Sequence, residues 1–164
     1  MNYITRKGGA TVTIFVPYGC ENNCPFCINK AEYSDVSNFN IYEILKSIRI
    51  MHAMTPECDF VFTGGEPLMN LEYLQMMLDE IPLTHKIFIN TSLPITSKHN
   101  IDELSQFINV NYHNGKITGL NVSRHLYSFV KECSDEIFEK LDFTVRINFL
   151  SPFVCSIKTR SASL

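Results

Sequence analysis

Short runs rich in β-branched and aromatic residues alternate along the chain with longer stretches whose apolar residues recur every three or four positions. The runs Thr11–Val16, Asp59–Thr63, Lys86–Asn90, Ile117–Ser123 and Phe143–Phe149 predict strands. Between them, Ile41, Ile44, Leu45, Ile48 and Met51 mark one helical face behind Asn40, with Glu43 at the capping-box position. Asn70 opens a second helix with Leu71, Leu74, Met77 and Leu78 inward and Pro82 as its stop. Asn100 with Glu103 opens a third over Leu104, Phe107 and Ile108, and Ser134 a fourth over Ile137, Phe138 and Leu141. A short additional helix is predicted over Leu126–Glu132.

The later strands begin at residues 59, 86, 117 and 143, spaced close to the roughly thirty residues of a βαβ unit. The first interval is longer because a cysteine-bearing loop is inserted there. Alternating β and α units imply an α/β fold with a parallel sheet and right-handed crossovers. The pattern covers residues 1–150 as one domain and is lost over 151–164, which reads as an irregular tail.

Composition narrows the class. At 164 residues and 45% apolar, the chain can bury a core without a metal or disulfide. Its 14 Lys and Arg against 17 Asp and Glu give a net charge of −3, which argues against a nucleic-acid clamp, since phosphate binding needs a basic face. No apolar run approaches the ~20 residues that span a bilayer, and Thr11–Val16 is too short and Thr-rich for a signal peptide. A soluble, cytoplasmic protein is expected. Three of the six Cys crowd between Cys20 and Cys27. A disulfide framework would spread them; a cluster suggests metal in a reducing compartment.

In parallel α/β folds, ligands bind at the carboxyl ends of the strands. Those ends carry, in order, the Cys20–Cys27 loop, Gly64-Gly65-Glu66-Pro67, Asn90-Thr91-Ser92, Ser123-Arg124-His125 and Asn148. Cys20, Cys24 and Cys27 form C-x-x-x-C-x-x-C. Thiolates so spaced on a tight loop can reach three corners of one iron–sulfur cube and leave one iron open. Structural zinc is the competing reading, although no second C-x-x-C knuckle follows. Three inert core thiols suit poorly a loop that also holds Glu21, Asn22, Asn23 and Asn29.

These residues resemble the radical S-adenosylmethionine (SAM) enzymes. The cysteine motif is similar to theirs, including Phe26 before the last Cys. Gly64-Gly65-Glu66-Pro67 is similar to their GGEP motif and likewise follows the second strand. The resemblance spans roughly Thr11 to Leu150. It implies a parallel-stranded, partial (β/α)6-type TIM barrel, here with about five βα units. It implies a 4Fe-4S cluster on Cys20, Cys24 and Cys27, with SAM on the open iron. The activity implied is reductive cleavage of SAM to a 5′-deoxyadenosyl radical that takes hydrogen from a small molecule or peptide. The electron would come from an external donor such as a flavodoxin or ferredoxin.

The resemblance also suggests roles for single residues. Gly64 and Gly65 would let the backbone approach a ligand closely, and Glu66 would accept the SAM ammonium. A plain strand-to-helix turn ending at Pro67 explains the glycines and the proline but not the Glu. Phe26 would lie beside the adenine or else cap the core. Asn90 with Thr91 and Ser92 would line the pocket. Ser123 and Arg124 would meet the ribose and carboxylate, with an Arg124 salt bridge to Glu132 or Asp135 as the alternative. Arg146 and Asn148 share one strand face and could point inward, but a half-exposed last strand is the better reading of both. His52, His85, His99 and His113 read as solvated; His125, beside Arg124 on the rim, could reach substrate or donate a proton, which is the weaker reading of it. Cys58, Cys133 and Cys155 read as core hydrophobes.

The family barrel has six parallel strands and this chain supplies five, so a shortened member with one open wall is expected. The substrate is unreadable without that wall. A glycyl-radical activase working on a protein partner and a truncated, non-catalytic iron–sulfur or zinc protein are the alternatives.

Overall fold

The computed structural model describes residues 10–22, 24, 27, 39–94, 99–125, 135–150 and 155–160, and every structural statement concerns these. Each predicted strand forms within two residues of its expected bounds: β1 (Thr11–Val16), β2 (Asp59–Gly64), β3 (Ile87–Thr91), β4 (Gly119–His125) and β5 (Val145–Leu150). They lie in one sheet in sequence order, all parallel. This is the α/β, partial-barrel arrangement that alternating β and α units require.

The helices start where their caps predict. In α1 (Ile41–Met54), Asn40 Oδ1 accepts from Tyr42 N at 3.0 Å, while Glu43 lies toward Lys46 at 4.0 Å. In α2 (Leu71–Glu80), Asn70 Oδ1 accepts from Tyr73 N at 3.0 Å. In α3 (Ile101–His113) both halves of the capping box form between Asn100 and Glu103, at 2.9 and 3.0 Å. Each cap satisfies amides that the first helical turn leaves without a partner. An Arg49–Glu80 ion pair ties α1 to α2.

Side chains alternate along each strand, and burial follows that alternation. Val16, Phe60, Phe62, Ile87, Ile89, Val122 and Ile147 pack into one core with Leu45 and Ile48 of α1, Leu74 and Met77 of α2, and Leu104 and Ile108 of α3. The face turned away from this core carries Phe15, Thr63, Asn90, Asn121, Ser123, Arg146 and Asn148. Apolar burial therefore fixes which face is left for a ligand.

Two expectations are corrected. Residues 155–160 are not irregular: they form β6 (Cys155–Arg160), antiparallel to β5, with Leu150 paired to Cys155 and Val145 to Arg160. An antiparallel strand needs only a short return and no crossover helix, so few residues suffice. The helix expected after Ser134 is a 3-10 turn, Asp135–Glu139, which still buries Ile137 and Phe138. Ser134 itself and the helix proposed over 126–132 lie outside the described residues.

Candidate functional site

The carboxyl ends of β1 to β4 bring the cysteine loop, the Gly64–Pro67 turn, Thr91-Ser92 and Ser123 to one rim. The loop after β1 and the turn after β2 approach each other closely. Gly64 has φ +106°, a conformation that favours glycine, and turns the strand end sharply. Gly65 then lies against the backbone of Tyr18 and Gly19. A Cβ at Gly65 would overlap the Tyr18 carbonyl oxygen and sit 3.1 Å from that of Gly19. The close approach expected of Gly65 is therefore made to the cysteine loop's own backbone. Tyr18 Oη donates to Pro67 O at 2.8 Å and closes the same seam. Burial pushes the Tyr18 hydroxyl pKa far above its usual value, with Glu66 adding to the effect.

Glu66 is the centre of the rim. It is 3% exposed, and its carboxylate accepts from four donors. Oε1 takes Leu68 N at 3.1 Å and Thr91 Oγ1 at 2.6 Å. Oε2 takes Ser92 N at 2.9 Å and Ser92 Oγ at 3.0 Å. A carboxylate offers about four lone-pair sites, and these bonds fill them. Burial raises the Glu66 pKa, and the four donors pull it partly back. The turn thus uses Glu66, as the N-cap of the 3-10 turn Pro67–Met69, a role not foreseen in the sequence. Its partners Thr91 and Ser92 come from the end of β3.

Ser92 also reaches the cysteine loop: its Oγ accepts from Asn22 Nδ2 at 3.2 Å. Asn22 is buried between Cys20 and Cys24. Cys20 and Cys27 reach the surface and Cys24 is buried; none of the three is in a disulfide. Cys27 N donates to Cys24 O at 3.1 Å, a tight turn that holds the last two together. The surrounding protein desolvates the Cys20 thiol although part of it meets solvent. That desolvation pushes its pKa up to about 11; the Asn22 backbone amide lowers it, and Glu66 and the other two thiols each add a smaller rise. Among the described residues, no three His, Cys, Asp or Glu side chains converge around one metal position. The fit to an iron–sulfur group rests on donor chemistry: three soft sulfurs on one loop, with Cys24 and Cys27 close enough to Cys20 to raise its pKa. A cavity of about 260 Å³ adjoins Cys20, lined by Tyr18, Gly19, Glu21, Met69 and Asn70. Phe26 lies outside the described residues.

Asn90 stands on the face turned away from the core and accepts from Asn121 Nδ2 at 2.9 Å. The register places Asn90, Asn121 and Arg146 in one row across β3, β4 and β5, with Ser123 and Asn148 in the next. Arg146 is exposed there. Ser123 and Arg124 do not share a face, because neighbours on a strand point oppositely. Arg124 turns to the helix side, buried over the Phe138 ring at 4.9 Å and 3.7 Å from Asp135 Oδ1. This is the Asp135 alternative; Glu132 and the His125 side chain lie outside the described residues.

The histidines divide. His113 is exposed beside Asp142 at 2.9 Å, and His99 lies 3.8 Å from Glu103. His85, expected in solvent, is 4% exposed. Its Nδ1 donates to Cys58 O at 2.7 Å, and its Nε2 meets His52 Nδ1 at 2.6 Å. In a neutral ring with its proton on Nδ1, Nε2 is the acceptor toward His52. Cys58 is core, as expected. The cluster precedes β2 and β3 in the chain, at the strand ends away from the thiols.

Comparison with known protein families gives a match to the radical SAM superfamily model over residues 14–147. No curated protein matches the chain.

Proposed function

The chain belongs to the radical SAM superfamily, and from that premise we propose that it binds a 4Fe-4S cluster and SAM and transfers hydrogen by a radical route. Cys20, Cys24 and Cys27 hold the cluster as thiolates, releasing their protons on binding. When bound, the cluster and SAM supply an electron and a 5′-deoxyadenosyl radical that takes hydrogen from the substrate. Glu66 receives the ammonium of SAM, a charge-assisted contact in a desolvated place. One observation carries the reading: the buried Glu66 carboxylate lies two hydrogen bonds from Asn22 in the cysteine loop.

The substrate, a small molecule or peptide, lies on the face that holds Asn90, Asn121, Ser123, Arg146 and Asn148. These offer amide, hydroxyl and guanidinium partners, while the apolar side of the sheet is spent on the core. Gly64, Gly65 and Pro67 shape the turn that presents Glu66. Arg124 supports β4 from behind. The electron comes from a soluble donor of the flavodoxin or ferredoxin class, in a reducing, cytoplasmic setting. No helix among the described residues is long and apolar enough to cross a membrane.

Anaerobic reconstitution tests this. Four irons per chain and a change in the cluster spectrum on adding SAM are expected. Zinc in place of iron, or a cluster indifferent to SAM, would overturn it.

A further inference from the structure

Glu66 has no vacant acceptor position, so a ligand ammonium must displace a donor. Two of the four donors, Leu68 N and Ser92 N, are backbone amides fixed by the turn and the strand end. Thr91 Oγ1 is held from two sides: it donates to Glu66 at 2.6 Å and accepts from Leu93 N at 2.9 Å. That leaves the Ser92 hydroxyl, at 3.0 Å, as the donor that can leave by a change of rotamer. The same oxygen is the acceptor for Asn22 Nδ2. Moving it away from Glu66 also takes it from Asn22, between two of the thiols.

We propose that Asn22 and Ser92 form a relay that sets the position of the cysteine loop according to what occupies Glu66. Asn22 and Ser92 are positioning residues, acting on the thiols through the loop backbone. The inference rests on the reading of Glu66 as the ammonium site, and it adds a reason why ligand and thiols should respond to each other. The Asn22–Ser92 link joins two neutral groups, and the other end of the relay is the Glu66 carboxylate. Both ends are buried, so water competes poorly for the bonds and their loss is felt by the loop.

The test uses the full chain before reconstitution and reads alkylation rates of Cys20 and Cys27 with iodoacetamide. Asn22→Ala and Ser92→Ala should each raise those rates roughly three- to tenfold, the effect of losing about one net hydrogen bond. The double variant should go no further than the single ones, because both cut the same link. Ser92→Thr, which keeps the hydroxyl, should restore the original rates. Glu66→Gln should change the Cys27 rate in the parent chain and leave it unchanged in the Asn22→Ala background; Cys20 is left out of this comparison, because the Glu66 charge also raises its pKa directly. Cys58, buried in the core at 2% exposure, serves as an internal gauge: its slow alkylation should not move, which separates loop release from general unfolding. Additive effects of Asn22→Ala and Glu66→Gln, or rates equal to the parent's, would overturn the relay. Failure of the reconstituted parent chain to respond to SAM would instead overturn the assignment of Glu66, and the alkylation results would still decide the relay.

Discussion

Gly65 packs so closely on Tyr18 that a Cβ on Gly65 would overlap the Tyr18 carbonyl oxygen. The contact joins the loop after β1 to the turn after β2, and both carry candidate ligand residues. Backbone on both sides leaves no flexible side chain to give way. Gly65→Ala should therefore cost about 3 kcal/mol of stability and disturb iron binding together with the melting temperature. A variant that melts like the parent would show that the two loops need not touch.

Iron content should separate the cysteines into two classes. Replacing Cys20, Cys24 or Cys27 with Ala should abolish the iron–sulfur chromophore after anaerobic reconstitution. Cys58→Ala should keep it at a cost of about 1 kcal/mol in stability, the loss expected for a small core side chain. Loss of the chromophore on changing Cys58 would refute the assignment.

Glu66 should leave a signature in the pH dependence of stability. Its pKa is raised above the ordinary 4.5, burial being the main cause. The folded state therefore holds a proton that the unfolded chain releases. This contribution is fully present below 4.5 and is lost as pH rises through the raised value. Urea midpoints of the parent, compared with those of Glu66→Gln, should fall as the pH rises above 4.5. A difference that grows with pH has the wrong sign and would mean that the four donors outweigh burial.

Arg124 and Glu66 should differ in what their loss affects. Arg124→Met removes a guanidinium packed over Phe138 and near Asp135, so it should lower stability by about 1–2 kcal/mol and leave SAM affinity within about twofold. Glu66→Gln should weaken SAM binding about tenfold or more, the value of a desolvated charge-assisted bond. Titration calorimetry on the reconstituted chain would compare them. A large affinity loss in Arg124→Met would bring that residue back to the ligand.

His85→Ala should cost about 2 kcal/mol, because it opens a buried space and leaves the Cys58 carbonyl without its donor. SAM binding should be unchanged, since His85 precedes β3 and the thiols follow β1 at the other end of the sheet. Equal losses of stability and affinity would indicate a connection between the two ends that the packing does not suggest.

The sequence by itself determined the five parallel strands, the three capped helices and the loops that carry the thiols and Glu66. Those features depend on residues close together in the chain: Asn100 with Glu103 in one helical turn, or Phe60 with Phe62 on one strand face. Period-two reading also separates Ser123 from Arg124, and the alternation Cys155, Ile157, Thr159 was a legible signal for β6. Its antiparallel direction was not legible, because the same alternation suits either direction. Only the tertiary structure decided what Glu66 holds, why Gly65 is glycine and why His85 is dry. Each answer depends on a residue far along the chain: Thr91 and Ser92 for Glu66, Tyr18 for Gly65, Cys58 for His85. Local spacing specifies elements, but polar partners at a rim are set by the register of neighbouring strands. That register is chosen by burying the apolar face of the whole sheet at once.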